Sequence, residues 1–532
     1  MGKRIVILFF IVAAALCGLS VRIISVNAGD FAKTAAYSNS RTIPVATSRG
    51  IIYDCNMERM VSSQDEYAVA VKPTAQGLNS VSGYMGEEKM REVRADLAKG
   101  NPVLLRLSQR PEGGQDTQVI AYKRRYSDKQ LAKHLVGYLD AEGNGVTGIE
   151  KSFNDYLSDD AGTLKAAFYV DALGRNLKGA EIEVIDDGYS SEKGIVLTID
   201  LRVQKALEDA MDSCFINSGC AVAVDPKTGA VRAMVSRPNY DQLDVAASLK
   251  SENSPLVNKA LMAYSVGSTF KVVVSAAALE EGPLSKEKIF DCKGVINVGG
   301  KDFGCYGRTA HGNVSMNEAL IHSCNTYFIS LAEDLGSYKI LQTAKKMGFG
   351  TQFTLCKNVV SREGKLPASA EVSSEIDTAN LGFGQGSLLA TPLQLASAFS
   401  TIANGGYFVE PSLIMGYVDE SGSFTQTRTS VTRKRVLRSG TCKSLSDMLQ
   451  NVVLESPNTK PERVTAAGKT ATAQTGQFDG DREICHSWFA GWYPVSNPEL
   501  VIVIMKENGA SGNADCAPVF KKVVDTLTTE VK

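Results

Sequence analysis

Beyond residue 190 or so the hydrophobic period changes twice, and this limits the fold more than any other feature of the chain. "GIVLTID" (194–200) has the apolar, β-branched character of a strand, and "CAVAVDPKTGAVRAMVS" (220–236) reads as two strands joined by a tight turn. In that turn Pro226 pre-sets the backbone, and Gly229 is free to take the positive φ that closes it. A long helical middle follows. Within it "TPLQLASAFSTIANGG" carries a full set of helix signals: Thr391 as cap, Pro392 at the first helical position, Gln394 completing a capping box, and Gly405-Gly406 as the stop. Strands then return in "GKTATAQTG", "SWFAGWYP" and "ELVIVIMKENG", before a last amphipathic helix, "APVFKKVVDTLTTEVK". Strands, then helices, then strands predict one α/β (α+β) domain that pairs an antiparallel sheet with a helical subdomain.

The 532 residues exceed one ordinary domain, and at roughly 100–200 residues each they leave room for two to four. From about 30 to 190 the sequence is mixed: short β-like runs such as "EYAVAVKP" alternate with charged helical stretches such as "GEEKMREVRADLAKG" (86–100). "DDGYSSEKG" (186–194) reads as a linker. Near the start, Lys3 and Arg4 precede an uncharged run from Ile5 to Val21. That run is near the short limit for a bilayer span, and the positive flank predicts a cytoplasmic N-terminus with an exported body. The alternative is a signal peptide cleaved after Ala28; the length of the run and Arg22 beyond it favour an uncleaved anchor. A net charge of -1 gives no reason to expect a nucleic-acid partner.

Eleven cysteines show no CxxC pair, and the four histidines show no HExxH, so the expectation is no metal and no cofactor. Cys292 and Cys305 flank the Gly-rich "CKGVINVGGKDFGC" and are the best candidates for a disulfide in an exported protein. Free thiols in a reducing setting are the alternative.

The chemistry is carried by "YSVGSTFKVVVSAAALEEGP" (264–283). Ser268 and Lys271 are three apart at the start of an apolar, alanine-rich helical segment, so they share a face. A serine hydroxyl needs a base beside it, and a lysine is one only when burial or a second cation lowers its pKa. The spacing alone proves little, since Ser190-Lys193 and Ser285-Lys288 match it in charged, turn-like surroundings. Downstream, "IHSCNTYF" supplies Ser323 and Asn325 around Cys324, and a strand supplies Lys469-Thr470-Ala471-Thr472. Ser-x-Asn is also common, as Ser25-Asn27, Ser251-Asn253 and Ser511-Asn513 show. The order of the set is specific: serine-lysine, Ser-x-Asn, then a lysine strand is a signature of serine acyl-transfer enzymes acting on penicillin-like substrates. Lys227-Thr228-Gly229, the only literal Lys-Thr-Gly, lies before the nucleophile at a hairpin tip and reads as a turn.

With these residues the chain resembles a class B penicillin-binding protein, a membrane-anchored peptidoglycan D,D-transpeptidase. Further likeness lies in "ATSRGIIYDCNMERMV" (Arg49, Gly50, Ile52, Asp54), in "VGYLDAEGNGVTGIEKSFNDYL" (Gly145, Gly148, Glu150), and in "LTIDLRVQKALE", "DPKTGAVRAMVSRPNYD", "GFGQGSLLATPLQLA", "SWFAGWYP" and "APVF". The resemblance implies a cytoplasmic tip at 1–4, a transmembrane anchor at 5–26, a pedestal domain at 27–190 and a transpeptidase domain at 191–532. It implies that Ser268 attacks the penultimate D-alanine carbonyl of a D-Ala-D-Ala stem peptide and that Lys271 takes its proton. Ser323, linked to Lys271 and Lys469, would relay a proton to the leaving D-alanine. Asn325 would bind the substrate amide, Lys469 would raise the local positive potential, Thr470 and Thr472 would hold the carboxylate, and the N–H groups of Ser268 and Thr472 the oxyanion. β-Lactams would trap Ser268. A SEDS-type glycosyltransferase and other wall-synthesis proteins are the implied partners, at the membrane.

Two positions depart from the family pattern. Val266 stands where proline is frequent, and Ala471 stands where glycine completes Lys-Thr-Gly. Alanine adds one methyl and fits a strand, so the oxyanion geometry is expected to survive. A D,D-carboxypeptidase, a β-lactamase and a catalytically impaired scaffold are the rival readings. The long pedestal argues against the first two, and only Val266 and Ala471 speak for the third.

Overall fold

The computed structural model describes residues 2–28, 39–159, 161–171, 173–177, 179–251, 253–282, 287–427 and 431–529. Of the comparison motifs, Ser285 lies outside the described residues. Helix α1 (Gly2–Ala28) contains one stretch, Gly2–Ser25, long and apolar enough to cross a membrane. Its exposed faces carry Ile5, Leu8, Phe9 and Phe10, as a lipid-facing helix requires.

The chain divides into two compact units that interleave in sequence. One contains 1–50, 62–127 and 158–192; the other contains 51–61, 128–157 and 193–532. The linker stretch 186–194 therefore holds one of several crossings, at 192/193. The first unit has two three-stranded antiparallel sheets. In one, Gln64–Val71 is central between Val103–Leu107 and Thr117–Arg124; in the other, Thr163–Tyr169 is central between Ser40–Thr47 and Glu183–Asp187. Their inward faces meet through Val45, Ala68, Ala70, Ile120, Leu164 and Phe168. The expected helix in the charged stretch forms over Glu87–Ala98.

The second unit is built on helix α2 (Leu201–Ser213) and a five-stranded antiparallel sheet. Its strands are β1 (Gly219–Val224), β2 (Val231–Arg237), β3 (Ala467–Asp479), β4 (Arg482–Tyr493) and β5 (Leu500–Lys506), in the order β2-β1-β5-β4-β3. The predicted hairpin closes as expected: Asp225 Oδ1 accepts from the N–H groups of Lys227 and Thr228, and Gly229 takes φ 74°. Lys227 is exposed there, so the literal Lys-Thr-Gly is a turn.

Between β2 and β3 the chain forms helices α3 (Lys271–Glu281), α4 (Asn325–Leu335) and α5 (Pro392–Ala403). Helix α3 is buried from Lys271 to Leu279, which its apolar residues on every side permit. Helix α5 starts with the predicted capping box, Gln394 N–H to Thr391 Oγ1 at 3.2 Å and Thr391 N–H to Gln394 Oε1 at 3.0 Å. The last helix, α6 (Ala517–Thr529), packs with α2 on one face of the sheet, where Leu207, Phe489, Ile502, Ile504 and Phe520 form the core.

Asp54 ties the later part of the Arg-Gly-x-Ile-x-Asp segment, from Ile51 onward, to this unit, while Arg49 and Gly50 belong to the first. Strand Ile51–Tyr53 pairs parallel with Gly194–Leu197. Fully buried Asp54 accepts from the N–H groups of Asn56 and Glu58, and from Leu201 N–H at 3.1 Å, an orphan donor at the start of α2. On the same helix, Glu208 and Asp212 bind the buried Arg237 guanidinium at 3.1 and 2.6 Å. Removing the cation leaves Glu208 buried with neutral donors only, Ala132 N–H and Gln204 Nε2. Arg237→Ala should therefore cost about 3–5 kcal/mol, read as a lower denaturant midpoint of the full chain.

Candidate active site

Ser268 lies in, and Lys271 directly follows, a turn that only part of the sequence pattern foretold. The predicted helix does not begin at Ser268. A 3-10 turn, Gly267–Phe270, comes first, and the α-helix starts at Lys271. The cause lies in the backbone: Gly267 has φ 54°, and Thr269 Oγ1 donates to Val266 O at 2.7 Å. This turn leaves Ser268 half-buried while Lys271 is fully buried. Val266 is itself buried, filling the place before the turn.

A buried amine must find partners, and Lys271 has three. Its Nζ lies 2.7 Å from Ser323 O, 2.6 Å from Asn325 Oδ1 and 3.2 Å from Ser323 Oγ. A neutral amine has two hydrogens and one lone pair. The two carbonyl oxygens take the hydrogens and leave the lone pair for a hydroxyl. The pKa agrees: burial first, and the charge of Lys469 second, hold Lys271 well below the ordinary lysine range. Lys469 is also buried, and burial brings its ammonium down to about 8. The two lysines are thus pushed apart, one toward a base and the other remaining mostly a cation at neutral pH.

Ser323 and Asn325 are aimed by a sharp bend. Ser323 has φ 53°, an uncommon backbone for serine, between helix Met316–Ile321 and α4. Asn325 spends both ends of its amide, since Nδ2 donates to Gly304 O at 2.9 Å while Oδ1 accepts from Lys271. The expected link from Ser323 to Lys469 is absent among the described residues. Lys469 Nζ donates instead to Thr470 O at 3.0 Å, and it acts on Lys271 through its charge. Its own stretched neighbour is the nearer acceptor.

Strand alternation sorts the remaining residues. Lys469, Ala471 and Ala473 point inward and are buried, while Thr470 and Thr472 share the half-exposed face. Ala471 pairs with Trp488 in the ladder, and Trp488 Nε1 donates to Ser265 O at 3.0 Å, tying β4 to the segment that leads into the nucleophile. A methyl on Gly267 would sit 3.0 Å from Ala473 Cβ, so the close approach to β3 falls at Ala473. Strand β3 is also the sheet edge, with backbone groups open to another strand.

Several of these residues were not foreseen as site residues. Trp488 and Gly384 lie in stretches noted only as family landmarks, and a methyl on Gly384 would come 2.1 Å from Gly267 O. Of the two readings of Cys292 and Cys305, disulfide or free thiols, the structure has the second: both thiols are free and their sulfurs are 3.8 Å apart. Against the expectation of no metal ligands, these two cysteines gather with His311 and Cys324. Their spacings follow no short motif, because four separate segments supply them.

Comparison with known proteins agrees with this architecture. Residues 219–525 match the penicillin binding protein transpeptidase domain, and 110–182 match the penicillin binding protein A dimerisation domain. The first match covers more than half of the chain, which therefore belongs to the penicillin-binding protein transpeptidase family. Stage V sporulation protein D of Bacillus subtilis is 28% identical, across 91% of this chain and 78% of that one. Peptidoglycan D,D-transpeptidase MrdA of Escherichia coli K12 is 24% identical, across 94% and 89%. Among solved structures, the D,D-transpeptidase domain of a peptidoglycan glycosyltransferase from Eggerthella lenta superposes with a TM-score of 0.66 at 23% identity, covering 91% of this chain and 98% of that one. Penicillin-binding protein A of Mycobacterium tuberculosis, solved as a ceftriaxone acyl-enzyme, gives 0.65 at 21%, covering 90% and 98%.

Because the Ala471 methyl already fits beside Trp488, glycine there removes a contact and frees no needed space. Ala471→Gly should change the penicillin acylation rate by less than about tenfold, the effect of a strand glycine near 1 kcal/mol. Stopped-flow acylation checks this, and a rise from near zero would show that the native site is impaired.

Proposed function

We propose that this chain is a peptidoglycan D,D-transpeptidase acting through a Ser268 acyl-enzyme. The observation that supports it most is Lys271, a fully buried amine with lowered pKa, three residues from a half-exposed serine. Ser268 Oγ attacks the carbonyl of the penultimate D-alanine, and Lys271 takes the hydroxyl proton. The Ser268 and Thr472 N–H groups receive the oxyanion. Ser323, 3.2 Å from Lys271 Nζ, passes a proton to the departing D-alanine amine. An amine of a second stem peptide then displaces the serine and forms the cross-link. Thr470, Thr472 and the Lys469 charge hold the terminal carboxylate, while Asn325 aligns the substrate amide beside its bond to Lys271. β-Lactams stop at the acyl-enzyme. The names of the relatives and the acyl-enzyme fold neighbour support the same chemistry.

The rest of the reading concerns place and partners. Residues 1–4 form a cytoplasmic tip, 5–26 an uncleaved single-pass anchor, 27–190 a pedestal and 191–532 the extracytoplasmic catalytic domain. Lys3 and Arg4 before the apolar helix favour that orientation. A SEDS-type glycosyltransferase would supply the glycan strands.

Fluorescent penicillin should label the wild-type chain and leave Ser268→Ala dark. Lys271→Met should slow acylation by ~10²–10⁴-fold, the usual worth of a positioned base. Incubation with a D-Ala-D-Ala stem peptide and an acceptor amine should yield a cross-linked dimer; hydrolysis alone would sink the transpeptidase reading. The rate should fall on acidification as Lys271 gains its proton, at a pH well below the ordinary lysine range. Binding of the carboxylate substrate should weaken above about 8, where Lys469 loses its charge. A pH profile of stem-peptide turnover tests both limbs.

A further inference from the structure

One carboxylate outside the serine–lysine site gathers its donors from behind strand β3. Asp515 ends the short helix Gly512–Asp515 between β5 and α6, and its side chain is 11% exposed. Its Oδ2 accepts from Ser487 Oγ at 2.7 Å, from Ala510 N–H at 2.7 Å and from Ser511 N–H at 3.1 Å. Its Oδ1 accepts from Lys506 Nζ at 2.9 Å. Burial by itself would push the carboxyl up. The bonds from Ser487 and Lys506 outweigh burial and hold Asp515 below the ordinary carboxylate range. The acyl-transfer steps use none of these groups.

The ladder sets this carboxylate over one row of the sheet. Thr472 of β3 is directly opposite Ser487 of β4, and Ser487 is directly opposite Lys506 of β5. Directly opposed residues share a face, so Asp515 binds two members of a row whose third is Thr472. Ser487 is fully buried, and its carbonyl accepts from the thiol of Cys516, the residue after Asp515, at 3.2 Å. The turn that Asp515 closes also reaches the next pair, Ala471 and Trp488. A methyl on Gly512 would fall 2.3 Å from Trp488 O, 2.5 Å from Ala471 O and 2.8 Å from Ala471 N. Along an antiparallel strand, successive residues turn their N–H and C=O groups to opposite sides. Ala471 turns both groups toward β4 and Gly512, so Thr472 turns both to the open edge. That edge faces the nucleophile turn, since a methyl on Gly267 would lie 3.2 Å from Thr472 O.

We propose that Asp515 is a positioning residue for the oxyanion donor: it fixes the Ser511–Gly512 turn against the Ala471–Thr472 peptide and so aims the Thr472 N–H at the site of Ser268. The inference rests on the proposed acyl-enzyme and extends it. One planar peptide carries both ends of the device. Its carbonyl, Ala471 O, lies against Gly512, and its N–H belongs to Thr472, so a tilt at the first is a tilt at the second. An oxyanion donor acts only within a narrow placement, roughly 2.7–3.1 Å from the developing charge. Strand β3 is the sheet edge, with no further strand to hold that peptide from the other side. The Ser487 bond ties the turn to the ladder, and the two turn N–H groups set its shape. Lys506 is half-buried and can be solvated without its partner, so an acceptor oxygen matters here more than the charge.

In the full chain in detergent, Asp515→Ala should slow fluorescent-penicillin acylation of Ser268 by ~10²-fold, the scale of a misplacement of about 1 Å. The loss should fall on the acylation rate constant and not on the binding that precedes it. Asp515→Asn keeps an acceptor for Ser487 and the turn, and should stay within about tenfold of wild type. With penicillin isotope-labelled at the reacting carbonyl, the ester band of the acyl-enzyme should move to higher infrared frequency in Asp515→Ala, as a carbonyl does on losing a hydrogen bond. A loss of stability alone would not move that band. Ser487→Ala removes one bond of the same device and should move the band the same way; it carries the test if Asp515→Ala does not fold. An unchanged rate constant with an unmoved band would overturn the proposal. Hydrogen exchange separates it from the acyl-enzyme reading: the amides of 469–473 should exchange faster in Asp515→Ala than in wild type. A wild-type chain that never labels refutes the acyl-enzyme, while equal exchange in the two chains shows that Asp515 does not hold the strand.

Discussion

The Lys271 amine is placed where water cannot solvate it, and much of the second unit follows from that. Leaving a buried amine unpaired costs several kcal/mol, so acceptors must be brought to it from elsewhere in the chain. They come from one bend, Ser323 to Asn325, which requires a left-handed serine and a helix starting just beyond it. The amide of Asn325 must in turn be held from its other end, and Gly304 does so. A single desolvated nitrogen therefore draws together α3, α4 and the 295–304 hairpin.

Burial also sets the division of labour between the two lysines. Both are nearly inaccessible, yet Lys271 gives its hydrogens to two carbonyl oxygens while Lys469 has one, on its own strand. The charge of Lys469 also raises the cost of charging Lys271, whereas burial is what lowers Lys469. Lys271, the more depressed, loses its proton first, and Lys469 keeps a positive charge at neutral pH. The arrangement resembles other sites in which neighbours force two titrating groups apart. The sheet contributes rigidity: β3 is paired with β4 along Ala467–Gln474, and Trp488 anchors that ladder to Ser265.

Much of this was legible in the chain because it is local. The hairpin at Pro226–Gly229, the capping box of Thr391 and Gln394, the three-residue spacing of Ser268 and Lys271 and the strand around Lys469 all depend on near neighbours. The features that were not legible depend on distant ones. Whether Lys469 bonds to Ser323 or to Thr470 is settled by the three-dimensional placement of its amine, which no spacing records. Cysteine arithmetic pointed to a disulfide because Cys292 and Cys305 flank a hairpin, but Cys324 and His311 arrive only through the pairing of 290–292 with 312–314 and the start of α4. The interleaved units were hidden for the same reason: a strand of three residues, Ile51–Tyr53, joins the second unit by pairing with Gly194–Leu197.

The absent glycine of Lys-Thr-Gly can be understood in the same terms. A glycine is needed where a backbone approaches closely or φ is positive. At Ala471 φ is not positive, and the residue lies in a regular ladder opposite Trp488 where its methyl is accommodated. The tight contacts have fallen on other residues. Gly267 combines φ 54° with a neighbour, Ala473, at the limit of packing; Gly384 has φ 79° and stands against the Gly267 carbonyl, where any side chain would collide. Gly512 meets the Ala471 backbone itself, with room for no more than hydrogen: a methyl there would fall 2.5 Å from Ala471 O. The closeness that Lys-Thr-Gly provides through its own third residue is here supplied by glycines on the segments around it, and the strand can carry alanine.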